Sequence, residues 1–116
     1  MLKRWLRSFW WAVHGFHTVW QEEKNFRIEA IVGVFVLIAA AVFRFSCGET
    51  GLVVVAIVIV LTGEIVNTAM EDLCNKVQPK QDRDIAKIKD IMAAFVLLSA
   101  LGAIALGLLT FGNHFL

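Results

Sequence analysis

The sequence predicts an all-α membrane protein with three transmembrane helices and an N-terminal amphipathic interfacial helix. Hydrophobic residues make up 59% of the 116 residues, whereas soluble domains contain about 45–50%. Three long segments carry almost no charge, and ten of the eleven Lys and Arg residues would flank them on one side of a bilayer. The length suits a single domain over residues 1–116.

The first element is a predicted surface helix over residues 1–25. Apolar residues recur there at the helical period, which places them on one face, and they are Leu2, Trp5, Leu6, Phe9, Val13, Phe16 and Trp20. Lys3, Arg4 and Arg7 fall away from that face. Aromatic bulk on one side and basic charge on the other is typical of a helix lying in the membrane interface. A core-facing helix of a soluble domain is the alternative, but the apolar segments that follow favour the interface.

The transmembrane helices are predicted at residues 28–47, 50–73 and 91–112. The first has an uncharged centre at residues 30–43, and the third carries no charge at all. A span needs about 20 predominantly apolar residues, which the third segment supplies directly. The uncharged centre of the first is shorter, and Glu29 and Arg44 near its ends could extend it by snorkelling or pairing. A polar stretch separates them, and Pro79 within it predicts a turn.

The distribution of Lys and Arg predicts the orientation. Five basic residues precede the first span and five lie between the second and third, whereas Arg44 alone falls on the other side. Because basic residues concentrate in cytoplasmic loops, we expect a cytoplasmic N-terminus and an external C-terminus. The net charge of +1 gives no general signal for binding polyanions, so no nucleic-acid partner is expected.

A polar set interrupts the second span near its predicted cytoplasmic end. Glu64, Asn67 and Glu71 are spaced i, i+3, i+7 and share one helix face. Further acidic and basic residues precede the first and third spans on the same side, and they are Glu22, Glu23, Lys89 and Asp90. Carboxylates suit Mg²⁺ bound together with phosphate oxygens, a Lys can hold phosphate charge, and a further carboxylate can accept a proton from an alcohol.

These groups are the parts needed to move a phosphoryl group from Mg-ATP to a hydroxyl at the bilayer surface. The chain has no Walker A loop and no protein-kinase signature, so a nucleotide site must be built differently. Two other interpretations remain open on spacing alone. An intramembrane Glu with Asn can serve ion translocation in a small oligomeric transporter or channel, or hydrogen bonds between helices.

Three stretches resemble the small prokaryotic diacylglycerol kinase family, which includes the undecaprenol kinases. They are EEKNFRIEA at 22–30, GEIVNTAMEDLCNKV at 63–77 and AKIKDIMAA at 86–94. The family pattern, Glu-aliphatic-aliphatic-Asn-Ser/Thr-Ala-aliphatic-Glu, is met by residues 64–71. With the three-span layout, the resemblance extends over nearly the whole chain.

The resemblance implies an ATP- and Mg²⁺-dependent lipid kinase of the bacterial inner membrane, with diacylglycerol or undecaprenol as acceptor. It implies a homotrimer with active sites at the cytoplasmic face, shared between neighbouring subunits. It also implies roles for seven side chains: Glu64 as general base, Asn67 as an orienting group, Glu23 and Glu71 as magnesium ligands, Lys89 at the phosphates, and Asp90 and Glu29 near the nucleotide.

Two residues depart from the family pattern. Asn75 stands where the family commonly has Asp, which removes a negative charge, and Phe95 stands in a tract usually made of small residues. The form of the first block is closer to the undecaprenol-kinase branch, but it leaves the acceptor open. Several other residues receive no functional role: Cys47 and Cys74 as unpaired thiols, His14 and His17 as polar groups at headgroup level, and His114 in the outer tail.

Overall fold

The computed structural model describes all 116 residues as four α-helices without strands. These are α1 (Leu2–Glu22), α2 (Lys24–Val42), α3 (Cys47–Val77) and α4 (Arg83–Phe115). The last three are long and apolar enough to cross a membrane. The predicted all-helical architecture, with three candidate spans after an N-terminal helix, is therefore confirmed.

Helix α1 is joined to the other helices only near its C-terminal end. Nearly all of its side chains are exposed, and Val19 is its one buried residue. The rings of Trp20 and Phe26 meet edge to face, with centroids 6.5 Å apart. The Arg27 guanidinium donates to the carbonyl oxygens of Trp20 at 2.7 Å and Gln21 at 2.9 Å. Because the last carbonyls of a helix have no intrahelical partner, Arg27 caps α1 and holds the corner between α1 and α2.

The connection between α2 and α3 is longer and lies earlier in the chain than the sequence predicted. Helix α2 ends at Val42, not near residue 47, and Arg44 takes the left-handed conformation with φ 58°. Ser46 then caps α3, since its hydroxyl accepts from the Glu49 amide and the Glu49 carboxylate accepts from the Ser46 amide. This capping box starts the second span at Cys47, three residues before the predicted position.

Both long helices continue past the predicted spans at the opposite end. Helix α3 runs to Val77, and α4 begins at Arg83, where the Asp82 carboxylate accepts from the amides of Asp84 and Ile85. The 31 residues of α3 correspond to about 46 Å at the helical rise, more than the roughly 30 Å of bilayer hydrocarbon. The polar ends therefore project beyond the apolar layer as helix. We call this the polar end of the bundle, and the end that holds Phe43, Cys47 and Phe115 the distal end.

Helix α3 is the central element and packs against both α2 and α4. A Cβ at Gly33 would lie 3.0 Å from Ile57 Cγ2, so α2 and α3 approach closely there. At Gly63 a Cβ would lie 3.6 Å from Ser99 and 3.7 Å from the Phe95 ring, so α4 packs over this glycine. Phe95 stands where the family usually has a small residue. Its ring packs near Gly63 of α3, and 45% of its surface is exposed.

Most apolar side chains of the bundle point outward. Only 11 of 116 residues are buried, and many large apolar residues expose more than two fifths of their surface. Water would make such exposure costly, and patches of this extent mark contact with lipid or with another protein. Because three helices are long and apolar enough to cross a membrane, a lipid bilayer accounts for a chain that has so small a core of its own.

The distal end is held by a polar contact that the sequence did not predict. His114 Nδ1 lies 2.9 Å from Glu49 Oε2, and His114 Nε2 lies 2.9 Å from the Phe43 carbonyl oxygen. The Phe45 ring stacks on the imidazole with centroids 4.3 Å apart. Assigning His114 no role was wrong, because it joins the end of α4 to the turn between α2 and α3.

Candidate active site

The polar residues of α3 form one continuous stripe, which we call the polar stripe: Glu64, Asn67, Glu71 and Asn75. Their spacing of i, i+3, i+7 and i+11 keeps them on one helix face. Glu64 is buried with 4% of its surface exposed, Asn67 is half-buried, and Glu71 and Asn75 are exposed. The stripe therefore leads from the interior of the bundle out to the polar end.

The inner end of the polar stripe meets α2 at a pair of carboxyl groups. The Glu29 and Glu64 carboxyl groups lie close enough to interact directly. Two carboxyl groups can form a hydrogen bond only when a proton is held between them. The buried Glu29 Oε2 atom accepts from no N–H or O–H donor of the protein. A proton shared by the two carboxyl groups, or a cation bound between them, would therefore stabilise this pair.

The backbone around Glu64 is held by neighbours that the sequence analysis did not name. The buried Thr68 hydroxyl donates to the Glu64 carbonyl oxygen at 2.8 Å. Gly63, immediately before Glu64, brings α4 close on the other side. The Ser/Thr position of the family pattern was the only sequence signal for Thr68. Its contact is local to α3 and satisfies the buried hydroxyl within the helix that presents Glu64.

Glu23 reaches the same site from the corner between α1 and α2. It is half-buried and stands at the N-cap of α2 in an extended conformation. Burial, and then repulsion from Glu71, Glu64, Asp72 and Glu22, raises the pKa of Glu23 above its ordinary value. The structure thus places the two predicted magnesium ligands, Glu23 and Glu71, close enough for their charges to repel each other. It adds Asp72, which the sequence analysis missed because a residue next to Glu71 lies well around the helix from the stripe.

The donor set at this site suits a magnesium ion that arrives with a nucleotide. No three His, Cys, Asp or Glu side chains converge closely enough to form a metal cage within the chain. Mg²⁺ usually takes one or two carboxylates and completes its shell with waters and phosphate oxygens. Glu23 and Glu71 supply that number of carboxylates, and the raised pKa of Glu23 shows that negative charge there lacks compensation.

Lys89 and Asp90 lie on α4 beside the outer end of the polar stripe. The Lys89 ammonium donates to Asn75 Oδ1 at 2.9 Å. Asp90 is exposed, and its side chain makes no hydrogen bond or salt bridge within the chain. Asn67 likewise makes no side-chain hydrogen bond, although its place on the stripe puts it between Glu64 and Glu71.

A polar concavity, which we call the loop cavity, opens where α3 connects to α4. Its volume is about 610 Å³. Its polar lining includes Asn75, Gln78, Lys80, Gln81, Arg83 and Lys89. Asp82 also lines it, but its carboxylate is engaged by the first amides of α4. Lys80, Arg83 and Lys89 give the loop cavity three positive charges, and its one carboxylate is bound to backbone amides. The loop cavity therefore suits an anionic ligand.

An apolar groove runs along the three spanning helices. It has a volume of about 520 Å³, and 11 of the 14 residues that line it are hydrophobic. Glu29 is its one charged residue, and Phe111 lines the part nearest the distal end. The groove therefore connects Glu29, the α2 member of the carboxyl pair, to the apolar length of the bundle.

Comparison with known proteins identifies the family of the chain. The model of the prokaryotic diacylglycerol kinase family matches residues 10–111. The chain belongs to this family. The match includes all seven predicted site residues, from Glu23 to Asp90.

Within the prokaryotic diacylglycerol kinase family, a diacylglycerol kinase of Synechocystis sp. is 31% identical to this chain over 103 residues. The alignment covers 88% of this chain and 59% of that relative. The chain thus spans about three fifths of the length of the curated relative.

Proposed function

We propose that this protein is a lipid kinase that transfers the γ-phosphoryl group of ATP to the hydroxyl of diacylglycerol or undecaprenol. The observation that supports this function best is the convergence of carboxylates from α2, α3 and the α1–α2 corner on one side of the polar stripe. The cationic loop cavity lies at the outer end of the same stripe. Phosphoryl transfer needs a site for phosphate charge next to a group that receives the alcohol proton.

Each polar residue has a distinct task in this proposal. Glu64 accepts the proton of the acceptor hydroxyl, since its buried carboxylate stands where hydrocarbon meets the polar end. Asn67 orients the reacting groups, and Lys89 holds phosphate charge. Glu23 and Glu71 hold Mg²⁺, which would supply charge neutralisation to the nucleotide phosphates. Asp90 lies near the nucleotide. Glu29, for which the resemblance implied a place near the nucleotide, lies beside Glu64 and the apolar groove, and we propose that it positions Glu64 from α2.

The apolar groove is the proposed place for the hydrocarbon chain of the acceptor. A chain lying along α2, α3 and α4 would present its terminal hydroxyl to Glu29 and Glu64, where the lining becomes polar. Diacylglycerol and undecaprenol share a hydrocarbon tail that ends in a hydroxyl. The groove suits both, so the choice between them is left to experiment.

We further propose that the protein forms a homotrimer in the bacterial inner membrane. The exposed apolar flanks of α2, α3 and α4 favour further subunits around each chain. Glu71, Asn75 and Lys89 are open to solvent in one chain, and a neighbouring subunit would enclose them. The polar end, which carries ten of the eleven basic residues, would face the cytoplasm. Helix α1 would lie in the interface there.

The decisive experiment is phosphate transfer from labelled ATP by the purified protein in mixed micelles. Diacylglycerol and undecaprenol are supplied side by side, with and without Mg²⁺. Label on one lipid that depends on Mg²⁺ would support the kinase and identify its acceptor. A folded, oligomeric preparation that labels neither lipid but conducts protons or cations in liposomes would refute the kinase and favour the transporter.

A further inference from the structure

We propose that Asn75 is a positioning residue for Lys89, and that its neutral amide leaves the full charge of Lys89 available to nucleotide phosphates. This inference rests on the proposed kinase function. It assigns a task to the residue that departs from the family pattern. It also predicts a nucleotide site more cationic, by one charge, than the same site with Asp at position 75.

The first support is the contact itself. Lys89 Nζ donates to Asn75 Oδ1 at 2.9 Å, and this bond links α3 to α4 across 14 residues of sequence. Lys side chains are long and lose substantial rotamer freedom when they are held in one place. A defined amide acceptor selects one of these rotamers. An ammonium has three donors, so two remain for phosphate oxygens.

The second support is the absence of a counter-ion. The one salt-bridge contact within the chain is between the His114 imidazole and the Glu49 carboxylate at the distal end. No carboxylate therefore neutralises Lys89, and the acceptor that holds it carries no charge. Asp82 is the acidic residue of the loop cavity, and its carboxylate is bound to backbone amides.

The third support is position. Asn75 lies four residues after Glu71 on the polar stripe, a rise of about 6 Å along the helix. The Lys89 ammonium is thereby fixed one helical turn beyond a proposed magnesium ligand. Adjacent phosphate groups could meet the cation at Glu71 and the ammonium at Asn75 together. A carboxylate at position 75 would instead pair with Lys89 and reduce the attraction for phosphate.

The test measures binding of the magnesium complex of a non-hydrolysable ATP analogue by calorimetry, using the full chain in the micelles that support transfer. Asn75→Asp should weaken binding about tenfold at low salt, because it adds one negative charge beside Lys89. The effect should shrink at high salt because salt screens exposed charges. In transfer assays the change should appear in the KM for ATP, with kcat altered less than about twofold.

Three further variants separate charge from shape. Asn75→Gln keeps a neutral amide and should bind within about threefold of the wild type, whereas Asn75→Ala should lose several-fold as Lys89 becomes mobile. Once Lys89→Met is present, Asn75→Ala should add no further loss, because two residues that act through one contact are not additive. Asn113→Asp adds the same charge at an exposed position of the distal end and is the matched control, with binding unchanged.

The outcomes distinguish this inference from the proposed function. If the wild type binds the analogue and labels a lipid, but Asn75→Asp binds as tightly as wild type, the inference alone is refuted. Additive losses for Asn75→Ala and Lys89→Met would refute it as well. If the wild type neither binds the analogue nor labels a lipid, the proposed function fails and the inference with it.

Discussion

The substitution Glu64→Gln should abolish catalysis without weakening the fold. Glu64 is buried beside Glu29, whose Oε2 atom has no donor. A Gln side chain of nearly the same shape would remove one carboxyl group and offer an amide N–H to Glu29. A hydrogen bond of this kind contributes about 1 kcal/mol, so the free energy of unfolding should stay the same or rise by that amount. Loss of a general base should lower kcat about 10²–10⁴-fold.

Glu49→Gln is the matched control for this prediction. It makes the same change at the distal end, where Glu49 pairs with His114 and caps α3. Transfer should therefore persist within about twofold, because distant sites act independently, while the melting temperature should fall. The two variants should show opposite patterns in labelled-ATP transfer and in thermal unfolding. Activity retained by Glu64→Gln, in a protein as stable as wild type, would refute the assignment of Glu64 as the base.

Three further predictions concern charge, packing and topology. Burial and repulsion from Glu71 raise the pKa of Glu23, so the Glu23 and Glu71 carboxylates repel each other above that pKa. Glu71→Gln should therefore raise the free energy of unfolding near pH 8 by less than about 1 kcal/mol and leave it unchanged near pH 3.5. Melting curves recorded without Mg²⁺ at the two pH values would show this difference. A larger effect at acid pH would contradict the repulsion. Gly33→Val should destabilise by about 1–3 kcal/mol through overpacking and reduce transfer by moving Glu29. Gly51→Val at the distal end, where an added Cβ meets no atom within 4 Å, should be tolerated in the same unfolding and transfer assays. An impermeant maleimide should label the exposed Cys47 only from outside the cell, and labelling from the cytoplasm would reverse the proposed orientation.

Much of the helical layout could be predicted from the sequence because it depends on local patterns. Uncharged apolar runs predicted three spans, and the structure contains three helices of the required length and hydropathy. The period of an α-helix placed Glu64, Asn67 and Glu71 on one face before any contact was known. The helix ends were predicted less well. The capping groups of Ser46 and Asp82 extended α3 and α4 past the limits set by hydrophobicity.

Contacts between helices could not be predicted in the same way, because periodicity describes one helix at a time. The depth at which α2 packs on α3 is set by the close approach at Gly33, and that depth decides whether Glu29 meets Glu64. The distal contact of His114 with Glu49 likewise depends on the register of α4 against α3.

The sequence by itself determined that this protein has three apolar helices and a polar stripe at one end of the second helix. Both follow from residue type and the helical period. Only the tertiary structure decided which groups face that stripe. In the structure, Lys89 donates a hydrogen bond to the neutral Asn75 side chain and has no counter-ion. The physical reason is that a side chain's electrostatic environment is set by its neighbours in space, which packing brings together from distant parts of the chain.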